Sequence, residues 1–319
     1  MVTHPAILAA QAAKLVPAQQ SAVQVAQVAA AAKTFQFAAP NVLLMGPAGT
    51  GKTYALASAV EAGLEVFYLA LENGIESLLG YWADQGKPIP KNLHWHVIRS
   101  SNSGFDAMAA TALQINTLTF EQLSKVTDAH RSKNDKFREI LLVLNNFYCQ
   151  RTKKHFGDVG TWDTSRMIAI DGLTGISDMA MTLTVGNKPV KGQNEWGVAQ
   201  TQVMALLKKL CDDCPCWFTL ISHIEREVDP NLGGVKLMPA TLGKAIAPKI
   251  SSLFSDVILA ERHPDGWCWS TSNPQADLKT RNLPYSGKLL PDFGAIVKKW
   301  EARKKIADML ANGDEAVDA

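Results

Sequence analysis

The residues with the clearest capacity for chemistry stand together at Gly46, Pro47, Ala48, Gly49, Thr50, Gly51, Lys52 and Thr53. Their run, GPAGTGKT, satisfies the phosphate-binding pattern G-x-x-x-x-G-K-[ST]. Its glycines let the backbone curl so that successive N–H groups point at phosphate oxygens, at the positive end of the helix that follows. Lys52 is expected to reach the β- and γ-phosphates, and the Thr53 hydroxyl is expected on Mg²⁺. The flanks suit this role. VLLM at 42–45 reads as a buried strand, and 54–62, without Gly or Pro, reads as a helix. The pattern predicts a site for a nucleoside triphosphate, ATP with Mg²⁺.

Two carboxylates end apolar runs. VFYLAL at 66–71 leads into Glu72, and MIAI at 167–170 leads into Asp171. A carboxylate at the carboxyl end of a strand beside a phosphate loop lies in the crevice where such sheets bind ligands. Asp171 has the Walker B setting and is expected to hold Mg²⁺ through its water shell. Glu72 reads as a base or water-positioning group, or as a solvated helix cap. The run WFTLIS at 217–222 ends at His223, a γ-phosphate sensor or a satisfied structural histidine. In LKTRNLP at 278–284, Lys279 and Arg281 alternate, which on a strand puts both cations on one face.

The elements that must carry these residues are legible in outline. The chain has 319 residues, is 47% hydrophobic and carries a formal charge of +2, which suits a globular protein with one large core. So small a net charge makes any nucleic-acid surface local. No apolar run has membrane-spanning length, and MVTHP lacks a signal-peptide layout, so a cytoplasmic protein is expected. Five cysteines give no disulfide framework; Cys211, Cys214 and Cys216 are too few and too crowded for a structural zinc site and read as free thiols.

Three segments are expected: an Ala/Gln-rich arm at 1–33, a core at 34–299, and a C-terminal helix with an acidic tail at 300–319. The core carries an insertion at about 118–160. Its basic stretch includes Arg151, Lys153 and Lys154, with Phe137, Phe147 and Tyr148 interleaved. Such a pattern serves a phosphate backbone and stacked bases, or a solvated face with its aromatics in the core. Residues 105–126 have helical spacing, 225–243 read as a long irregular loop, and 254–260 with 267–271 read as two strands joined at His263-Pro264-Asp265-Gly266. His94 and His96 read as a strand alternation, and Phe35-x-x-Ala38 as a strand edge.

In their order, the phosphate loop, Glu72, Asp171, His223 and the Lys-x-Arg pair resemble the core of RecA-like ATPases. The runs FGDVGTWDTSRMIAIDGLTGIS, GKAIAPKISSLFSDVILAER and LKTRNLP are similar to phage-encoded RecA-like AAA-family ATPases, which include Sak-type single-strand annealing proteins. The resemblance implies an α/β fold, a mostly parallel central sheet with helices on both faces, to which the basic insertion adds a subdomain of its own. It implies Glu72 rather than the residue after Asp171, here Gly172, as the catalytic carboxylate. It also implies that Lys279 and Arg281 enter a neighbour's site in a homo-oligomer, and that Lys188, Lys191 and Lys236 are DNA contacts. Two departures are His223, where such sensors are often Gln, and the insertion itself. The activity so implied is a Mg²⁺-dependent ATPase acting on single-stranded DNA in recombination or replication, in the host cytoplasm if phage-encoded. A single-strand-binding or replication protein would be its partner. An ATP switch that loads or remodels a protein, and a P-loop kinase, are the rival readings.

Overall fold

The computed structural model describes residues 37–99, 105–126, 135–186, 188–228 and 233–311. The expected arm at 1–33, Phe35 and the acidic end of the tail lie outside them. The chain divides into two units, Ala38–Arg303 and the terminal stretches Met1–Phe37 with Lys304–Ala319. The strands and helices belong to the first unit, apart from the last turns of the final helix.

Near-continuous apolar runs form strands buried on both faces. These are β1 (Asn41–Met45), β2 (Glu65–Ala70), β6 (Arg166–Asp171), β7 (Trp217–Ser222) and β10 (Asp256–His263); β3 (Leu93–Val97) is a half-buried edge strand, and β11 (Gly266–Ser270) returns from β10. They make a seven-stranded sheet in the order β11-β10-β1-β7-β6-β2-β3. Every pairing is parallel except β10 with β11. Two short hairpins stand apart, β4 (Tyr148–Cys149) with β5 (Lys154–His155), and β8 (Ile224–Val228) with β9 (Val235–Pro239).

The helices are α1 (Lys52–Glu61), α2 (Ile75–Ala83), α3 (Phe105–Thr117), α4 (Phe120–Lys125), α5 (Lys136–Asn145), α6 (Leu173–Val185), α7 (Gln193–Lys208), α8 (Ala247–Leu253) and α9 (Phe293–Ala311). Strand alternation divides them between the faces. Leu43, Phe67, Ile168 and Phe218 share a buried cluster with residues of α5, α6, α7 and α8. On the other face Trp217 meets Trp300 and Trp269 meets Phe293, both from α9. The α/β architecture with a mostly parallel sheet and helices on both faces is therefore the one expected.

Local expectations changed in four places. Residues 105–126 form two helices, because Thr119 caps the second: its hydroxyl accepts from Gln122 N and Gln122 Oε1 accepts from Thr119 N. The loop expected at 225–243 is largely the β8–β9 hairpin, with Glu227 opposite Lys236. Its balanced charges are cross-strand neighbours. The insertion supplies Phe137, Ile140, Phe147 and Val159 to the sheet's own core, while Tyr148 and Phe156 are half-buried and Phe120 is exposed. The strand expected at 278–284 is reduced to one bridge, Lys279 to Val257. Beyond it the chain bends around the buried Asp256 carboxylate, which accepts from Thr280 Oγ1, Arg281 N, Asn282 N and Asn282 Nδ2 at 2.8–3.1 Å. A carboxylate taking that many donors fixes a turn, and a turn cannot keep two residues alternating on one face.

Candidate functional site

The loop from Gly46 to Thr53 joins the carboxyl end of β1 to α1, and Gly46 N donates to Ser222 O at the end of β7. Gly51, the residue before α1, has φ 73°, and a Cβ there would lie 2.5 Å from the Trp267 ring. Only glycine meets both conditions. Lys52 is buried, and its Nζ donates to Gly46 O at 2.9 Å and Pro47 O at 2.7 Å. Burial lowers its pKa, while the nearby Asp171 and Glu72 carboxylates oppose that shift.

Thr53 Oγ1 donates to Asp171 Oδ2 at 2.6 Å, and Tyr68 OH donates to the same oxygen at 2.6 Å. Burial, with Asp171 beside it, drives the Tyr68 pKa far upward, so the phenol stays a donor. Glu72 is the next group along. Its carboxylate sits so close to Gly172 that a Cβ on that residue would meet Oε1 at 2.5 Å. Glu72 Oε2 lies 3.4 Å from His223 Nε2, which joins the ends of two strands that are not neighbours in the sheet. The glycine at 172, where a side chain would displace Glu72, accounts for the empty position after Asp171.

Lys52, Thr53, Glu72, Asp171 and His223 line a cavity of about 670 Å³ with residues 48–51, Tyr54, Asn73, Gly74 and Trp267, a size suited to a small-molecule ligand. Trp267, Tyr54 and Tyr81 form an edge-to-face series above the loop, with centroids 5.2 and 4.9 Å apart. Hydroxyl and carboxylate oxygens meeting at Thr53 and Asp171 are a hard donor set of the kind Mg²⁺ takes. The loop's amides at the start of α1 suit a phosphate chain. The residues present therefore fit ATP and Mg²⁺. Sequence reasoning missed Tyr68 and Trp267. A tyrosine within a buried apolar strand signals a needed partner for its hydroxyl; nothing in the sequence marks Trp267.

Lys279 and Arg281 are not part of this cluster. Asp256, around which they turn, is level with Val42 at the amino end of β1, whereas the phosphate loop leaves the carboxyl end. Lys279 Nζ donates to Ser252 O. Among the expected DNA contacts, Arg151 donates to Pro90 O and Lys91 O and lies 5.3 Å over the Trp95 ring. Lys188 pairs with Glu195 and Lys236 with Asp277, while Lys153, Lys154 and Lys191 are exposed. Burial, the leading cause in each case, pushes the thiols of Cys211, Cys214 and Cys216 up to about 12, 11 and 12, keeping all three protonated.

Several solved structures are similar to this chain. The RadB recombinase is 14% identical over 78% of this chain and 85% of its own, with a TM-score of 0.38. The ATPase EscN, solved assembled with its central stalk EscO from the type III secretion system of enteropathogenic E. coli, is 13% identical over 88% and 56%, at 0.36. The flagellar accessory protein FlaH from Methanocaldococcus jannaschii is 11% identical over 78% and 83%, at 0.28. No family model matches the chain. No curated protein matches it either. Among the described residues, no helix is long and apolar enough to cross a membrane.

Proposed function

We propose that this protein is a RecA-like ATPase that hydrolyses ATP with Mg²⁺ and acts on single-stranded DNA. The observation that carries the hydrolytic part is Glu72, held against Gly172 and 3.4 Å from His223, in one cavity with the phosphate loop and Asp171. A carboxylate in that place orients and deprotonates a water for in-line attack on the γ-phosphorus, and His223 holds the carboxylate's second oxygen. Lys52 exchanges its two loop carbonyls for phosphate oxygens. Thr53 and Asp171 would hold Mg²⁺, which would supply charge neutralisation at the phosphates.

Lys279 and Arg281, on the opposite edge of the sheet, serve a γ-phosphate only from a neighbouring subunit, and a homo-oligomer is part of the reading. For DNA, support comes from the exposed Lys153 and Lys154 at the β4–β5 turn and from exposed Lys191.

The test is Glu72→Gln in the full chain. ATP affinity should stay within a few-fold while kcat falls by about 10²- to 10⁴-fold, the usual worth of a positioned base. Normal turnover in this variant would refute the assignment. Single-stranded DNA should stimulate the unmodified protein; stimulation by a protein partner alone would favour the remodelling switch, and phosphate transfer to a small acceptor the kinase.

A further inference from the structure

We propose that Glu261, His263 and Cys268 form a transition-metal site of the Zn²⁺ class on the β10–β11 hairpin. Each offers one ligand atom, and the three atoms all lie within 4.8 Å of one another. The register explains why. Glu261 is paired with Cys268 and His263 with Gly266, so Glu261, Cys268 and His263 share one face of the hairpin. Arg262 and Trp267, paired with each other, take the opposite face, on which Trp267 covers Gly51.

The chemistry of the set is selective. A thiolate, an imidazole and a carboxylate together suit a borderline-soft ion, and are a poor match for Mg²⁺ or Ca²⁺, which seek oxygen. Three protein ligands leave the fourth tetrahedral position to water. Cys268 is buried, at 3% exposure, and the other two are half-buried, so the ion would sit at the hairpin's flank with water on one side. Outer support is also in place: Asn273 Nδ2 donates to Glu261 Oε1 at 3.0 Å, orienting that carboxylate as second partners of metal ligands do. An ion of this class binds cysteine as the thiolate. Binding therefore displaces the thiol proton to solvent as the metal–sulfur bond forms. A metal here would clamp the turn end of the hairpin whose other face closes over the phosphate loop. The inference is independent of any reaction at that loop.

The experiment uses the full chain, free of any affinity tag, reduced, with excess Mg²⁺ present. Co²⁺ is added as an optical probe, followed by displacement with Zn²⁺. One equivalent of Co²⁺ should bind with a thiolate-to-cobalt charge-transfer band and release of one proton. Cys268→Ser and His263→Ala should abolish the band, and Asn273→Ala should weaken binding by about 10- to 100-fold. The variant Cys211→Ser/Cys214→Ser/Cys216→Ser should retain it. No charge-transfer band, or a band that survives Cys268→Ser, overturns the proposal. Should Cys268→Ser fail to fold, His263→Ala decides: it alters a half-buried side chain, and a full band in that variant overturns the site.

Discussion

The two edges of the central sheet, where its parallel strands begin and where they end, use their charged and polar side chains differently. At the amino edge the groups are consumed by the protein itself. Asp256 takes its donors from residues 280–282, Glu65 holds Arg166 at 2.8 Å and His94 at 3.2 Å, and Arg151 caps two carbonyls. At the carboxyl edge Lys52, Thr53, Glu72, Asp171 and His223 converge on a cavity. Parallel strands point their chain exits, and hence their adaptable loops, to that one edge, while the other must be sealed. Two cations with a motif's spacing are therefore weak evidence of chemistry until their edge is known.

The sharpest way to break this contrast is Arg281, which lies on the sealed edge yet matches a finger pattern. In the proposed homo-oligomer, Arg281→Ala should leave ATP binding intact and lower turnover by about 10³- to 10⁵-fold. Mixing it with Lys52→Ala subunits should restore part of the activity, because each supplies what the other lacks. Steady-state turnover of a verified mixed oligomer checks this, and unchanged activity of Arg281→Ala alone would make the amino edge purely structural.

Asp256→Ala addresses stability on the same edge. Donors at residues 280–282 lose a charged acceptor in a buried place, so unfolding free energy should drop by about 3 kcal/mol. Denaturant titration measures it, and a drop below about 0.5 kcal/mol would mean the turn is held by other interactions.

A smaller effect separates exposed from engaged cations in the basic segment. Lys153→Ala with Lys154→Ala should flatten the dependence of log K on log salt for single-stranded DNA by about 0.7 for each phosphate that is no longer neutralised. Arg151→Ala should instead lower the melting temperature and leave that slope alone. The reverse pattern would put Arg151 on the DNA.

The smallest effect is a pH dependence. Burial lowers the His94 pKa, Arg151 and Arg166 lower it further, and Glu65 opposes them. The folded chain thus holds His94 neutral while the unfolded chain protonates it near the ordinary value of 6.5. Below that pH the unfolded state binds more protons, so stability present above it is lost as pH falls, at a slope of at most about 1.4 kcal/mol per unit. His94→Phe should flatten the fall seen between about pH 7.5 and 5.5 in denaturant titrations. An equal fall in both proteins would assign it elsewhere.

The sequence by itself determined the strand–loop–helix around GPAGTGKT, the buried strands and the carboxylates that end them. Those features are local: a glycine-rich turn, an apolar run and its last residue are each set within about ten positions. The pairing of Glu72 with His223, the second donor on Asp171 from Tyr68, and the cover of Trp267 over Gly51 were decided by strand order and register. The same holds for Lys279 and Arg281, whose spacing reads as a strand but whose backbone is bent by a carboxylate some twenty-five positions away. Packing sets which residues meet across the sheet, and a distant buried charge outweighs local strand propensity because leaving it without donors costs more than one broken ladder.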